Sequence, residues 1–249
     1  MVKENELVDL LNKRTPGKKS AYYRPRDAAT IIFLRFNEKQ PRILMGKRHE
    51  DHKFMPGKFV FPGGRVDFAD SRVQPTGDFP AATMGKLLQN MKRGISANRA
   101  RGLGMAAIRE AFEEAGVLYG QPQARKQSSR SVAWQDFLDQ GVSPSLSGLS
   151  YIARAITPPG RPRRFDTRFF AADACGIAKT LNAQDVPTNE LLERAWLTFD
   201  EALDADIPLI TKVVLQHLKI RLDKGCLGDH EYPTPFYFHQ QGKFLRIEH

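Results

Sequence analysis

Apolar residues fall along the chain in two rhythms. Residues 27–36, DAATIIFLRF, form a β-rich apolar run, closed by turn residues at 37–41 and followed by a second strand pattern at 42–48. These two segments predict a hairpin. Further strands are expected at 58–61, 149–156, 165–173 and 191–199. A period near 3.6 predicts helices near 4–13, at 80–94, 105–115, 132–140 and 208–223, with a short one at 200–205. In the 80–94 segment Met84, Leu87, Leu88 and Met91 share one side, which is expected to pack on the domain. Residues 121–131, QPQARKQSSRS, read as a polar linker or loop, and 232–247 as an edge strand or hairpin. Strands and helices mix without regular βαβ alternation, so the pattern gives α/β or α+β.

The segment at 109–117, REAFEEAGV, changes the picture from fold to chemistry. Glu110, Glu113 and Glu114 stand at i, i+3 and i+4, which puts all three carboxylates on one helix face. Unpaired like charges at that spacing destabilise a helix, so the cluster needs a neutralising partner or a solvated face. Hard divalent cations, which prefer oxygen ligands, are the natural partner. Arg109 precedes the cluster and can orient a carboxylate. Ala107, Ile108, Ala111, Phe112 and Ala115 supply the buried side, and Gly116 is placed to end the helix.

Upstream, residues 61–70 read FPGGRVDFAD, and the Pro-Gly-Gly turn lets backbone approach a ligand or a helix. Together the two segments resemble the Nudix hydrolases, whose signature runs G-x5-E-x7-R-E-U-x-E-E-x-G-U, with U an apolar residue. Gly64 opens it and residues 109–117 close it, with Asp67 and Asp70 as the upstream acids. Positions 71–108 stand where the signature allows seven residues, an excess of about 31. An insertion of that kind lengthens a loop at small entropic cost. It is expected at about 71–104 and expected to leave both halves of the site intact.

Residues 44–64, LMGKRHEDHKFMPGKFVFPGG, narrow the resemblance to the coenzyme A diphosphatase branch, whose motif is LLTxR(S/A)x3Rx3Gx3FPGG. Leu44, Arg48, Gly57, Phe61, Pro62, Gly63 and Gly64 are identical to it, and Lys53 keeps the charge of an arginine. Gly46 and His49 depart from it. The resemblance covers about residues 26–220. It implies a Nudix-type α/β/α sandwich with a mixed sheet and one domain over 1–249, carrying a C-terminal extension at about 224–249. It also implies metal-dependent cleavage of a diphosphate bond in a small-molecule nucleoside diphosphate derivative, coenzyme A or acyl-coenzyme A first, ADP-ribose or NADH second. Mg²⁺ or Mn²⁺ would be held by Glu110, Glu113 and Glu114, with Arg109 orienting them. Arg48, Lys53, Gly63, Gly64, Arg164 and Arg168 would face substrate. Glu114, Glu110, Glu190 or Glu193 are the base candidates. A sensor or nucleic-acid regulator is the reading from another class, weakened by the retention of all three glutamates.

A net charge of +10 over 249 residues favours polyanionic partners, but the basic residues are scattered and no RNA-binding signature or zinc finger is seen. Serine catalysis lacks a G-x-S-x-G elbow, and His49 and His52 lack further ligands. Phe165, Phe169 and Phe170 are expected in the core rather than stacked on a base. No apolar run reaches membrane-span length. The polar start without a signal core, the non-peroxisomal ending Arg-Ile-Glu-His and the two cysteines, Cys175 and Cys226, lead to an expectation of a cytoplasmic chain with free thiols. A homodimer is left open.

Overall fold

The computed structural model describes residues 4–12, 23–49, 57–91 and 94–249. Its frame is a large mixed sheet. Strands β1 (Arg26–Arg35) and β2 (Arg42–Arg48) form the expected hairpin, and the short strands β3 (Phe59–Val60) and β4 (Gly63–Arg65) follow. β4 pairs with the first half of β1, with Thr30 opposite Gly63 and Ala29 opposite Gly64. Later come β7 (Ser150–Ile156), β8 (Phe165–Asp173), β10 (Leu191–Thr198), β11 (Pro235–Gln240) and β12 (Lys243–Glu248). The order across the sheet is β10-β2-β1-β8-β7-β11-β12. β1–β8 and β7–β11 run parallel and the other pairs antiparallel.

The two-residue period of the strands sorts the core into two layers. Ala29, Ile31 and Phe33 face one side, where they pack with helices α2 (Ala81–Leu88), α3 (Ala97–Ala115) and α4 (Val132–Asp139). Ile32 and Leu34 face the other, against α1 (Glu4–Asn12), α5 (Phe199–Asp204) and α6 (Leu209–Asp223). This is the α/β/α sandwich implied by the resemblance. Phe170 is fully buried in the first layer and Phe169 is buried in the second, as expected of core residues.

Two expectations are corrected. The acidic helix does not begin at 105 but at Ala97, where Ser96 Oγ accepts the Arg99 N–H. Gly102 and Gly104 obscure its rhythm, yet both are buried within it. Residues 117–122 form a strand, β5 (Val117–Pro122), that overlaps the segment read as polar loop. It joins β6 (Val142–Pro144) and β9 (Ile177–Thr180) in a small second sheet, and neither of those was anticipated.

The stretch read as an insertion is tied down at both ends. Arg99 donates to Asp27, which also accepts from Arg168, and Arg168 in turn faces Asp166, the partner of Arg154. Arg154 reaches the carbonyl of Asn90, just past α2. Lys86 on α2 donates to the carbonyls of His230 and Tyr232, at 2.8 and 2.6 Å, and Thr83 meets His230 Nδ1 at 3.0 Å. The C-terminal segment therefore clamps α2.

Candidate active site

Helix α3 presents Glu110, Glu113 and Glu114 to the glycine turn between β3 and β4. Glu114, 2% exposed, accepts the Gly63 N–H at 3.0 Å. Glu110 lies against Gly64 so closely that a Cβ there would stand 2.5 Å from its carboxylate. Any side chain at this point would have to displace the Glu110 carboxylate. The helix ends at Gly116, whose φ of 62° is left-handed and whose N–H returns to Phe112. Thr188 donates to the carbonyl of Glu113 and Arg194 to that of Ala115, so the loop before β10 closes the helix end.

Arg109 is the hub. Its Nε and Nη2 donate to the two oxygens of Asp70, at 2.8 and 3.1 Å. Nη1 serves Glu110 at 2.8 Å and Glu113 at 2.5 Å, and Nη2 also reaches the Arg65 carbonyl. Burial opposes the charge, but the Asp70 bond and the charges of Glu110, Asp70 and Glu113 hold the guanidinium above its ordinary range. Asp70 is fully buried and also accepts Trp134 Nε1–H at 2.8 Å. Trp134 was not singled out in the sequence; its signal is that a buried indole N–H needs an acceptor.

The other half of the site comes from β2. Arg48 Nη1 bonds Glu190 at 2.7 Å, and Nη2 stands 3.7 Å from Glu114. Glu190 thereby joins the cluster, whereas Glu193 is exposed on β10. Leu191 is seated on Gly46, where a Cβ would stand 2.5 Å from its side chain. The departure from the motif at position 46 makes room for the residue that follows Glu190.

Five carboxylates (Asp70, Glu110, Glu113, Glu114 and Glu190) share two guanidiniums, those of Arg48 and Arg109. Full ionisation leaves three negative charges. Burial first, and then Glu113 and Asp70, push Glu110 up to about 7 against the pull of Arg109. Glu114 is raised well above the usual carboxylate range by burial, Glu190 and Glu110, and neither Gly63 nor Arg48 reverses this. Among the described residues no group of three His, Cys, Asp or Glu forms a ready-made metal cage. The donors are nevertheless all hard oxygens around uncompensated charge. They suit a cation that keeps water and phosphate oxygens in its shell.

The remaining basic candidates lie apart from this cluster. Arg164 is buried and donates to the carbonyls of Thr157 and Tyr23. Arg168, 1% exposed, is paired with Asp27 and Asp166. Both guanidiniums are thus engaged within the chain. Lys53 and His52 lie outside the described residues.

Comparison with known proteins adds the lineage. Caenorhabditis elegans nudix hydrolase 7 is 31% identical over 189 residues, covering 72% of this chain and 53% of that protein. The chain belongs to the Nudix family. Xenopus laevis acyl-coenzyme A diphosphatase NUDT19 is 25% identical over 215 residues, 68% of this chain and 55% of that protein. This Nudix chain thus spans about half the length of both curated relatives. No family model matches it. A NUDIX hydrolase crystal structure from Alicyclobacillus acidocaldarius superposes with a TM-score of 0.60 at 24% identity, over 82% of this chain and 97% of that one, and shares the fold. Among the described residues no helix is long and apolar enough to cross a membrane.

Proposed function

We propose that this Nudix chain hydrolyses a diphosphate bond in a nucleoside diphosphate derivative, with coenzyme A or acyl-coenzyme A as substrate. The observation that carries the reading is the excess of carboxylate charge packed around Gly63 and Gly64. A bound Mg²⁺ or Mn²⁺, held by Glu110, Glu113 and Glu114, would supply charge neutralisation for the diphosphate and lower the pKa of a bound water. The protein's own groups do the rest. Arg109, fixed by Asp70, holds Glu110 and Glu113 in position. Arg48 holds Glu190 beside Glu114. Glu190 lies outside the metal-holding set and accepts the proton of the water that attacks phosphorus. One P–O bond forms as the bridging P–O bond breaks, and coenzyme A would give 3′,5′-ADP and phosphopantetheine.

The substrate choice is supported by the matches at Leu44, Arg48, Gly57 and Phe61–Gly64 and by the acyl-coenzyme A diphosphatase relative. Hydrolysis of coenzyme A, ADP-ribose, NADH and capped RNA, each with Mg²⁺ and with Mn²⁺, tests it. The expected result is the highest kcat/KM for coenzyme A or an acyl derivative. Preference for ADP-ribose would keep diphosphate hydrolysis and remove the coenzyme A reading. Turnover of none of the four would remove both.

A further inference from the structure

We infer that the cleft between the start of the insertion and the loop after β5 is a phosphoryl-binding site. It is open, encloses about 550 Å³, and its lining includes Arg72, Gln74, Thr76, Arg125, Gln127 and Ser143. Not one Asp or Glu lines it. Its polar side chains are all of donor type, although the Thr76 hydroxyl is already given to the Pro144 carbonyl, and two of them carry full positive charge.

The cationic groups of this cleft are uncommitted, and this separates them from the other arginines discussed. Arg48, Arg164 and Arg168 are each held by carboxylates or carbonyls of their own chain. Neither Arg72 nor Arg125 meets a carboxylate among the described residues. The Arg72 guanidinium instead lies over the ring of Phe68, 4.1 Å from its centroid. Ser143 lines the cleft and accepts from Gln127 Nε2. Arginine meets phosphate with two parallel N–H groups, and the same lining holds two arginines.

The cleft adjoins the candidate active site through two residues of backbone. Arg72 follows Asp70, which anchors Arg109. A phosphoryl group carried by a substrate, or free inorganic phosphate, meets the same donors. This deepens the coenzyme A reading, since coenzyme A has a 3′-phosphate that ADP-ribose and NADH lack. The site also stands without that reading.

The test is binding by titration calorimetry at low salt in EDTA, so that no turnover or metal enters. The probes are inorganic phosphate, 3′,5′-ADP and adenosine 5′-monophosphate. Arg72→Ala, Arg125→Ala and the double variant are compared with Lys126→Ala, which removes the same charge from the same loop outside the cleft lining. Charge-assisted hydrogen bonds of this kind predict that each arginine variant weakens 3′,5′-ADP and phosphate about tenfold, with Lys126→Ala close to wild type. Loss for inorganic phosphate alone assigns the site to free phosphate. Loss for 3′,5′-ADP beyond that for the monophosphate assigns it to the substrate's extra phosphoryl group. Wild-type binding of neither phosphate probe, or equal binding by wild type and double variant, overturns the site. Both results are read independently of the hydrolysis screen.

Discussion

Arg109 and Asp70 stand 39 positions apart and meet in a two-pronged ion pair, Nε to Oδ1 at 2.8 Å and Nη2 to Oδ2 at 3.1 Å. The pair ties the segment after the glycine turn to helix α3. A short 3₁₀ turn at Phe68–Ser71 supports it: Asp67 caps the turn, and its N–H donates to Asp70 at 2.7 Å. Asp70→Asn leaves the Arg109 charge buried with one partner fewer. Breaking a buried pair from one side costs about 3–5 kcal/mol. Urea unfolding should show a loss near the lower figure, because Glu110 and Glu113 remain, together with a fall in diphosphate hydrolysis. An unchanged unfolding midpoint would contradict the anchoring role.

Gly64→Ala places a methyl group against the Glu110 carboxylate. The strand pairing of Gly64 with Ala29 can survive this, but the carboxylate must move. A displacement of about 1 Å at a reacting centre can cost about a hundredfold in rate. The expected outcome is a folded protein, by circular dichroism, with hydrolysis reduced by roughly that factor. Wild-type turnover would show that the contact has no bearing on the chemistry.

Glu114→Gln separates stability from function. The side chain is buried and its charge is disfavoured by burial, Glu190 and Glu110. A glutamine keeps an oxygen for the Gly63 N–H and removes the charge. The metal-free protein should gain about 1 kcal/mol near neutral pH, an upward Tm shift of roughly 2–4 °C, while metal-dependent hydrolysis is lost. Glu113→Gln should also lose most turnover without that gain, because Glu113 is the more exposed partner of Arg109. A lower Tm for Glu114→Gln would reverse the electrostatic account.

His249 gives a pH signature. Burial, and then Arg154, Arg168 and Lys86, hold it down to about 4, against an ordinary value of 6.5. The unfolded chain binds the proton earlier on acidification than the folded one, so the contribution of His249 is present above pH 6.5 and lost as pH falls through about 4. Glu110 and Glu114, raised in the folded chain, act in the opposite sense over this range, so the signature is a change of slope: between those limits His249→Gln should lose less stability on acidification than wild type. An unaltered slope would remove His249 as its source.

The sequence disclosed what depends on local rhythm and missed what depends on distant partners. β2 was expected at 42–48 and is Arg42–Arg48, because apolar residues and a turn bound it on the chain itself. β5 and β9 were hidden because each is short and completed by a strand distant in sequence, Val117 pairing with Thr180. The three glutamates were legible from helical spacing. The commitments of Arg164 and Arg168 were not, since partners such as Asp27 lie 141 positions away from Arg168. Nothing local distinguishes them from Arg72 and Arg125.

The clamp of Lys86 on the carbonyls of His230 and Tyr232 also bears on how the chain can be cut. Helix α2 and the C-terminal segment lie far apart in sequence but meet in space. A chain shortened before His230 would leave the Lys86 ammonium without its two acceptors, and a chain without α2 would leave those carbonyls without their donor. A truncation chosen by signature residues alone would therefore cut through paired structure.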